Sequence, residues 1–299
     1  MISAQRFEEL RPYLFSIAYR MLGSATEAED VIQDAWLRVD KTPPGLVSER
    51  AWLSTVVTRL CLDRLKSARA SREEYVGPWL PEPVLLDAVP APESEVLRRE
   101  SITVAFLVLL ETLSPTERAA FLLGEIFDYD YADIARILDT SEAAVRQLVH
   151  RAKERLTQGK RRFTASPERQ REIVRRFLSA AQEGDLEGLE VLLAEHATFT
   201  ADGGGKVAAA KRVVEGAAAI AKLFVGLRQK AVKDLSAWHV EISEVNGEPA
   251  VLVFVQGQLD TVFILSIQDR IHSIHAIRNP DKLRWLEQRL PSSVRNRTV

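Results

Sequence analysis

The chain has 299 residues, of which 46% are hydrophobic and 27% charged, and its formal net charge is −2. This length exceeds what one hydrophobic core usually holds, so two or three domains are expected. The single cysteine, Cys61, excludes an internal disulfide and a thiolate metal cluster, and no apolar run is long enough to cross a membrane. We therefore expect a cytoplasmic protein with no membrane partner, and no motif predicts a metal ion or a cofactor.

Residues 5 to 72 follow helical periodicity, interrupted by the breaker KTPPGLVS. The spacing of apolar residues predicts one helical face from Ala28, Val31, Ile32, Ala35 and Val39. A further helix is predicted from Leu53, Val56, Val57 and Leu60. The segment Glu27 to Asp34 holds four acids and no base. Although the net charge of the whole chain is close to zero, this region is therefore expected to form an acidic surface.

The segment from about residue 75 to 92 is rich in proline and cannot form a continuous helix. Its first part, YVGPWLPEPV, carries apolar side chains that a plain polar spacer would lack. We expect an extended connection that docks on another surface, with Trp79 substantially buried there. Helical patterning then resumes, and Ser114 to Glu117 has the spacing of a capping box at a helix start.

Residues 130 to 157 read as a helix, a tight turn and a second helix capped by Ser141. The buried stripe of the second helix is predicted from Val145, Leu148, Val149, Ala152 and Leu156. Its outer face would present Arg146, Gln147, His150, Arg151 and Lys153. Such side chains match base-edge donors and acceptors in the major groove, which favours DNA binding over a merely solvated basic helix.

The last third of the chain changes character. Residues 168 to 227 look mostly helical, with a strand and turn at TFTADGGGK. From about Ala237 the period falls to two, and turns are expected at Asn246-Gly247, Gln256-Gly257 and Asp269-Arg270. This part is therefore expected to be α+β, whereas the rest is all-α.

Two blocks together resemble a known family. The stretches AEDVIQDAWLRV and RAWLSTVVTRLCLDRLKS resemble regions 2.2 to 2.4 of the extracytoplasmic-function sigma factors, and residues 114 to 157 resemble region 4. The resemblance implies that the β′ clamp helices of core RNA polymerase meet Asp30, Gln33 and Asp34. It also implies that the minus-ten element of a promoter meets Trp52, Thr55, Arg59, Asp63 and Lys66.

By the same resemblance, region 4 would read the minus-thirty-five element and meet the polymerase β flap. Many relatives carry Asn where this chain has Arg59, so the base preference at that position stays open. Trp52 is also open between a core anchor and a residue that stacks on a base.

The C-terminal third resembles SnoaL-like domains, which belong to the nuclear-transport-factor-2-like superfamily. With GPWLPEP at residues 77–83, DGGGK at 202–206 and NPDKL at 279–283, the chain is similar to sigma factors with a fused SnoaL-like domain. The resemblance implies regulatory interdomain contacts by Trp79, Leu80, Pro81, Asp202, Gly203, Gly204, Gly205, Lys206, Asn279, Pro280, Asp281, Lys282 and Leu283. The three glycines would allow close backbone approach or positive φ, and Asn279 or Asp281 would cap a final helix.

The expected architecture is multidomain. Two all-α sigma domains span 1–72 and 106–163, with a Pro-rich linker at 73–105 between them and an α+β, cone-shaped SnoaL-like domain at 164–299. The expected function is a sigma factor that is not an enzyme, binds core RNA polymerase and promoter DNA, and is regulated in cis by its C-terminal domain.

Two alternatives remain. One is a helix-turn-helix regulator that senses a small molecule in the SnoaL-like pocket. The other is an enzyme tethered to DNA, with acid/base candidates Asp202, His239, His272 and His275, the last two on opposite faces of one strand.

Overall fold

The structure is a computed structural model that describes residues 2–43, 46, 48–73, 75–89, 99–157, 165–233, 238–291 and 294, with backbone placement only for 68–73, 157 and 231–233. The chain forms two compact units. The first comprises Met1–Glu74 and Val84–Arg161, and the second comprises Tyr75–Pro83 and Arg162–Val299. No helix within the described ranges combines the length and apolar character needed to span a bilayer.

Three helices open the first unit: α1 (Ala4–Leu22), α2 (Ala25–Trp36) and α3 (Glu49–Glu73). Ser3 and Ser24 cap α1 and α2, and Gly23 ends α1 with a φ of 67°. The predicted apolar face of α2 is confirmed, since its residues are all buried. In α3, Leu53, Val57 and Leu60 are buried as predicted, whereas Val56 is half-buried. Short 3-10 turns lie at Val39–Lys41 and Leu86–Ala88.

The rest of the first unit holds a helix-turn-helix. The elements of this part of the unit are α4 (Val104–Leu110), α5 (Pro115–Phe121), a π-helical turn (Leu122–Ile126), α6 (Tyr131–Leu138) and α7 (Glu142–Thr157). The two helices α6 and α7 are those of the helix-turn-helix predicted at residues 130–157. The capping box is confirmed, with Glu117 N 3.3 Å from Ser114 Oγ and Ser114 N 3.0 Å from Glu117 Oε2. The predicted cap of α7 is confirmed too, because Ser141 Oγ accepts from Ala144 N at 3.2 Å. Leu148 is half-buried, and the other residues of the predicted stripe are buried.

The second unit is α+β, as expected. Its helices are α8 (Pro167–Glu183), α9 (Leu186–Leu192), α10 (Ala217–Lys233) and α11 (Pro280–Arg289). Its strands are β1 (Leu193–Asp202), β2 (Val214–Glu215), β3 (Trp238–Val245), β4 (Glu248–Val255), β5 (Gln258–Ile267) and β6 (Ile271–Ile277). The sheet order is β2-β1-β6-β5-β4-β3, and β1 pairs with β6 in parallel while the other neighbours are antiparallel.

Aromatic rings fill the layer between the helices and the sheet. The ring of Phe224 lies 4.9 Å from that of Phe177, 5.8 Å from that of Phe199 and 5.5 Å from that of Phe263. The helices and the helix-facing side of the sheet therefore meet through close packing of side chains at this point.

The two candidate histidines of β6 lie on opposite faces of that strand. Ile274 and Ala276 belong to the helix-facing core, so His275 between them lies on the other face of β6, opposite to the face of His272. His272 Nε2 lies 3.1 Å from the carboxylate of Asp269, and the ring of His239 stacks on Phe254 with a centroid separation of 4.7 Å.

Candidate nucleic-acid interface and linker-docking site

Three of the predicted DNA contacts lie exposed on α7. They are Arg146, Gln147 and His150. Arg146 Nη2 lies 3.3 Å from Glu142 Oε2, and His150 Nε2 lies 3.5 Å from Glu154 Oε1. Both partners are on the same helix and exposed, and such pairs contribute little to stability. These side chains can therefore be redirected towards a ligand at small cost.

The other two predicted contacts are tied to neighbouring elements. Arg151 Nε lies 3.1 Å from Glu117 Oε1, on α5, and Lys153 Nζ lies 2.7 Å from Glu125 Oε2, in the π-helical turn. Arg155 also reaches Glu117, at 2.9 Å from Oε2. Arg151 and Lys153 are thus ion-paired to elements outside α7, whereas the pairs of Arg146 and His150 stay within the helix.

Glu117 itself is only 4% exposed. Its burial acts to raise the pKa of the carboxyl, but the hydrogen bonds from Ser114 and the nearby Arg155 and Arg151 outweigh burial, so the pKa is lowered overall. The carboxylate therefore stays ionised where it binds the two guanidinium groups.

The predicted minus-ten residues lie along α3. Arg59 donates from Nε to the carbonyl oxygen of Ile137 at 3.1 Å and from Nη2 to that of Arg136 at 3.2 Å, so it binds the C-terminal end of α6. Asp63 and Lys66 pair with each other at 3.7 Å and are both exposed. The Thr55 hydroxyl donates to the carbonyl of Ala51 at 2.9 Å, and Trp52 is half-buried.

The acidic face of α2 is organised by one arginine. Arg64 donates to Asp34 Oδ2 at 2.9 Å, to Asp30 Oδ2 at 3.5 Å and to the carbonyl of Glu27 at 3.3 Å. One guanidinium therefore contacts both carboxylates, Asp34 more closely than Asp30.

A groove between α1 and α2 lies beside this acidic face. Gln33 lines it together with Phe7, Trp36 and Leu37. Trp36 is 40% exposed and Leu37 74% exposed, which is unusual for large apolar residues. This pair was not predicted from the sequence. The signal that could have found it is the presence of two large apolar residues at the end of an acidic helix.

The strongest concentration of polar contacts in the second unit surrounds Asp202. This carboxylate is completely buried at the end of β1. Oδ1 accepts from the Tyr75 hydroxyl at 2.5 Å and from Gly204 N at 3.0 Å. Oδ2 accepts from Leu80 N at 2.8 Å and from Lys282 Nζ at 2.6 Å. One side chain therefore joins the linker, the DGGGK turn and the NPDKL segment.

Lys282 completes the same cluster. Its ammonium lies 4.4 Å from the centroid of the Trp79 ring and 4.8 Å from that of Tyr75, both within cation–π range. Trp79 is partly buried and not freely exposed, and its neighbour Leu80, 2% exposed, takes the deeper position. Pro81 is buried as well.

The glycines of the DGGGK turn are required by close approach. A Cβ on Gly204, whose φ is 59°, would lie 2.2 Å from Asn279 Nδ2. A Cβ on Gly203 would lie 2.5 Å from the Val207 carbonyl oxygen, and one on Gly205 3.1 Å from Val76 Cβ. Both readings made from the sequence, close approach and positive φ, are confirmed in this turn.

The NPDKL residues occupy the start of α11. Asn279 caps the helix through Asp281 N at 3.1 Å, Pro280 takes a first-turn position, and Leu283 is buried. Asp281 forms an ion pair with Lys206, whose hydrogen bond holds the pKa of that carboxyl below its usual value.

Tyr75 was not singled out from the sequence. Its hydroxyl also accepts from Asn279 Nδ2 at 3.0 Å. Burial raises the pKa of Tyr75, and its bond to Asp202 raises it further, so the hydroxyl keeps its proton for donation. Its place two residues before GPWLPEP was the signal that could have found it.

Comparison with known proteins finds matches to each of the two helical regions and to nearly the whole chain. Residues 6–71 match the family described as Sigma-70 region 2, and residues 103–156 match Sigma-70, region 4. The ECF RNA polymerase sigma factor SigJ of Mycobacterium tuberculosis (strain ATCC 25618 / H37Rv) is 38% identical over 292 residues, which cover 94% of this chain and 93% of that protein. The Probable ECF RNA polymerase sigma factor SigI of Mycobacterium tuberculosis (strain CDC 1551 / Oshkosh) is 33% identical over 91% of this chain and 92% of its own length.

Among solved structures, the crystal structure of the Mycobacterium tuberculosis extracytoplasmic function sigma factor SigJ superposes with a TM-score of 0.74 at 36% identity. The match covers 94% of this chain and 98% of that one. The similarity therefore includes the C-terminal α+β domain as well as the helical regions.

Proposed function

The chain belongs to the extracytoplasmic-function sigma factors, and from that membership we propose how its surfaces direct core RNA polymerase to promoters and how the C-terminal domain regulates this in cis. As a sigma factor it serves promoter-directed transcription initiation. It would act in the cytoplasm, where the polymerase is, as a specificity subunit and not as a catalyst.

Core polymerase would bind the face of α2. Asp30 and Asp34, spaced by Arg64, offer carboxylates to an arginine-rich partner such as the β′ clamp helices, and charge complementarity favours their encounter. The groove lined by Gln33, Trp36 and Leu37 lies alongside and would supply apolar contact area. The β flap would meet the helix-turn-helix.

Promoter DNA would bind two elements of the first unit. The α3 side chains Trp52, Thr55, Arg59, Asp63 and Lys66 would meet the minus-ten element. The outer face of α7 would meet the minus-thirty-five element, with Arg146, Gln147 and His150 directed at base edges. Arg151 and Lys153 border that face and form ion pairs with Glu117 of α5 and Glu125 of the π-helical turn.

Regulation in cis is carried by the contacts of Asp202. The linker segment 75–83 would otherwise be a free connection between the two sigma regions, yet its Tyr75 and Leu80 bind a carboxylate of the C-terminal domain. Any change in that domain which releases Asp202 would also change the freedom of the linker, and with it the placement of the two DNA-binding elements.

The same contacts weaken the alternative functions. Asp202 accepts hydrogen bonds from Tyr75, Leu80, Gly204 and Lys282, so its carboxylate is engaged in structure and not offered to a substrate. Four phenylalanine rings pack between the helices and the sheet of the same domain. No observation favours small-molecule sensing or catalysis enough to propose either.

Run-off transcription with purified core polymerase tests the function. The full chain, a version ending before Asn279 and one ending near Gln158 are compared on promoters selected by the full chain. We expect promoter-dependent transcripts that depend on the added chain and whose yield changes between versions. Absence of such transcripts from all three versions would reject the sigma-factor function, and equal yields would reject regulation in cis.

A further inference from the structure

The Glu117 carboxylate is shared between two helices of the helix-turn-helix. It closes the capping box of α5 by accepting from Ser114 N at 3.0 Å. It also accepts from Arg151 Nε at 3.1 Å and from Arg155 Nη1 at 2.9 Å, both on α7. Arg151 and Arg155 are four residues apart, so they project from one side of α7.

A different side of α7 packs tightly on the turn that follows α5. A Cβ on Gly124 would lie 3.4 Å from Ile134 Cδ1 and 4.0 Å from Val149 Cγ2, and Glu125 binds Lys153 at 2.7 Å. The distance and rotation of α7 relative to α5 are therefore set by two carboxylates, of which Glu117 is the buried one.

We propose that Glu117 and Arg151 are positioning residues for promoter recognition, a role that rests on the sigma-factor function proposed above. Arg151 acts through Glu117 to fix the rotation of α7, and thereby the direction in which Arg146 and Gln147 leave the helix. Base discrimination depends on bidentate geometry at the base edge, so a small rotation of α7 weakens it without removing any contacting side chain.

A double-mutant cycle tests this role in the holoenzyme formed by core polymerase and the full chain. The variants are Glu117→Gln, Arg151→Gln and both together, with Arg169→Gln as a charge-matched control on α8, where Arg169 is exposed and pairs with Glu172. Promoter binding is measured against a minus-thirty-five element and a scrambled one, at several salt concentrations.

We expect each single variant to lower discrimination about tenfold, with the double variant no worse than Glu117→Gln alone, because Glu117→Gln already removes the bond that Arg151→Gln removes. The slope of binding against salt should stay that of the wild type. If Arg151→Gln reduces the slope by about 0.9 while Glu117→Gln leaves discrimination intact, Arg151 contacts a phosphate directly and the proposal is wrong. A wild type without promoter-dependent binding would instead reject the underlying function.

A separate observation concerns the other DNA-binding element. Arg59, predicted to meet the minus-ten element, donates to the carbonyl oxygens of Ile137 and Arg136 at 3.1 and 3.2 Å. These carbonyls lie in the last turn of α6, whose negative pole attracts a guanidinium. The helix of one DNA-binding element is thus hydrogen-bonded to the helix-turn-helix that forms the other.

Further contacts join the same two parts of the first unit. The Tyr129 hydroxyl lies 3.1 Å from that of Tyr13 and donates to Ser54 Oγ at 2.8 Å. Arg118 donates to the carbonyl of Met21 at 2.7 Å, and both groups are buried. These bonds leave the two elements side by side.

Promoter geometry requires them apart. The names of the two promoter elements place them about 25 base pairs from each other, on the order of 85 Å of duplex at about 3.4 Å per base pair. Arg59 cannot lie on the minus-ten element and on α6 while α7 occupies the minus-thirty-five element. The side-by-side arrangement is therefore closed to a promoter at both elements, and we infer that the Arg59 contact is one of the bonds that hold this closed form.

Distance measurements on the free full chain test the closed form without DNA. Spin labels are placed at Arg38→Cys and Glu154→Cys, both exposed, and the native Cys61 is buried. Arg59→Gln and Tyr129→Phe are compared with Arg136→Ala, which keeps the acceptor carbonyl and removes only an exposed side chain.

We expect the long-distance population to rise about tenfold in Arg59→Gln, the change expected from losing a charge-assisted hydrogen bond, and to rise also in Tyr129→Phe, with no change in Arg136→Ala. If the distance distributions of Arg59→Gln and wild type coincide, the Arg59 contact does not hold the closed form. Because no promoter is present, this result is independent of whether the chain initiates transcription.

Discussion

Lys282 donates to Oδ2 of Asp202 at 2.6 Å, and neither side chain is more than 9% exposed. A buried ion pair of this kind is costly to break from one side, because the remaining charge is left in a low-dielectric interior. Asp202→Asn and Lys282→Met should each lower the free energy of unfolding of the C-terminal domain by about 3–5 kcal/mol. Chemical denaturation monitored by tryptophan fluorescence would measure this change. Asp260→Asn, which weakens the half-exposed pair with Arg278, is the matched control and should cost less.

The docking of the linker depends on Leu80 more than on its exposed neighbours. Leu80 is 2% exposed, so Leu80→Ala should cost about 2–5 kcal/mol of stability. Limited proteolysis should then cut the linker faster than in the wild type. Val76→Ala is the control, since Val76 is 57% exposed and its truncation should leave the cleavage rate close to that of the wild type. Equal cleavage rates in Leu80→Ala and Val76→Ala would contradict the docking described here.

The DGGGK turn tolerates no side chain at Gly204. Gly204→Ala places a Cβ against Asn279 at a residue with φ of 59°, and the backbone strain alone costs about 1–3 kcal/mol. Gly226→Ala is an informative control, because a Cβ there meets no atom within 4 Å and alanine favours the helix by about 0.5–1 kcal/mol. The midpoint temperature of thermal unfolding should therefore fall for Gly204→Ala and rise slightly for Gly226→Ala.

Base contact by Arg146 predicts a selective loss. Arg146→Ala should cost about 1–3 kcal/mol on the preferred minus-thirty-five element and less on a scrambled one. Competitive binding by the holoenzyme to both duplexes measures the difference. Loss of affinity that is equal on the two duplexes would restrict Arg146 to a phosphate contact.

Acid should weaken the helix-turn-helix through Glu117. The folded state lowers the pKa of this carboxyl from its ordinary 4.5, so the unfolded chain binds the proton more tightly. Its contribution to stability is complete above pH 4.5 and is lost as the pH falls through the lower folded value. Denaturation midpoints measured between pH 7 and pH 3 should fall less steeply in Glu117→Gln than in the wild type. Parallel pH profiles of the two proteins would show that the carboxylate makes no such contribution.

Local signals in the sequence predicted the parts of the fold that depend on neighbouring residues. The capping box at Ser114 and Glu117, the cap at Ser141 and the apolar face of α2 follow from spacing alone. The π-helical turn at Leu122–Ile126 was not predicted, because its residues have ordinary helical propensity and its geometry comes from packing against α6 and α7.

Hydrogen bonds between residues far apart in the chain could not be predicted from the sequence, for a different reason. Asp202 and Tyr75 were both visible, but nothing in their local pattern says that residues 127 positions apart share a hydrogen bond. The family motifs indicated which segments would meet, and the structure supplied the shared carboxylate. In α7, periodicity placed Arg151 and Arg146 on the same polar surface, whereas the partner that distinguishes them, Glu117, lies on another helix.

The central claim is that the linker and the C-terminal domain act as one regulatory unit through Asp202. Run-off transcription with saturating core polymerase, comparing Asp202→Ala, Asp260→Ala and the wild type, tests it most directly. We expect Asp202→Ala to change the transcript yield about tenfold, in the same direction as the chain that ends before Asn279. Asp260→Ala should stay near the wild-type yield. A wild-type yield from Asp202→Ala, under conditions in which proteolysis shows that its linker has been released, would contradict it.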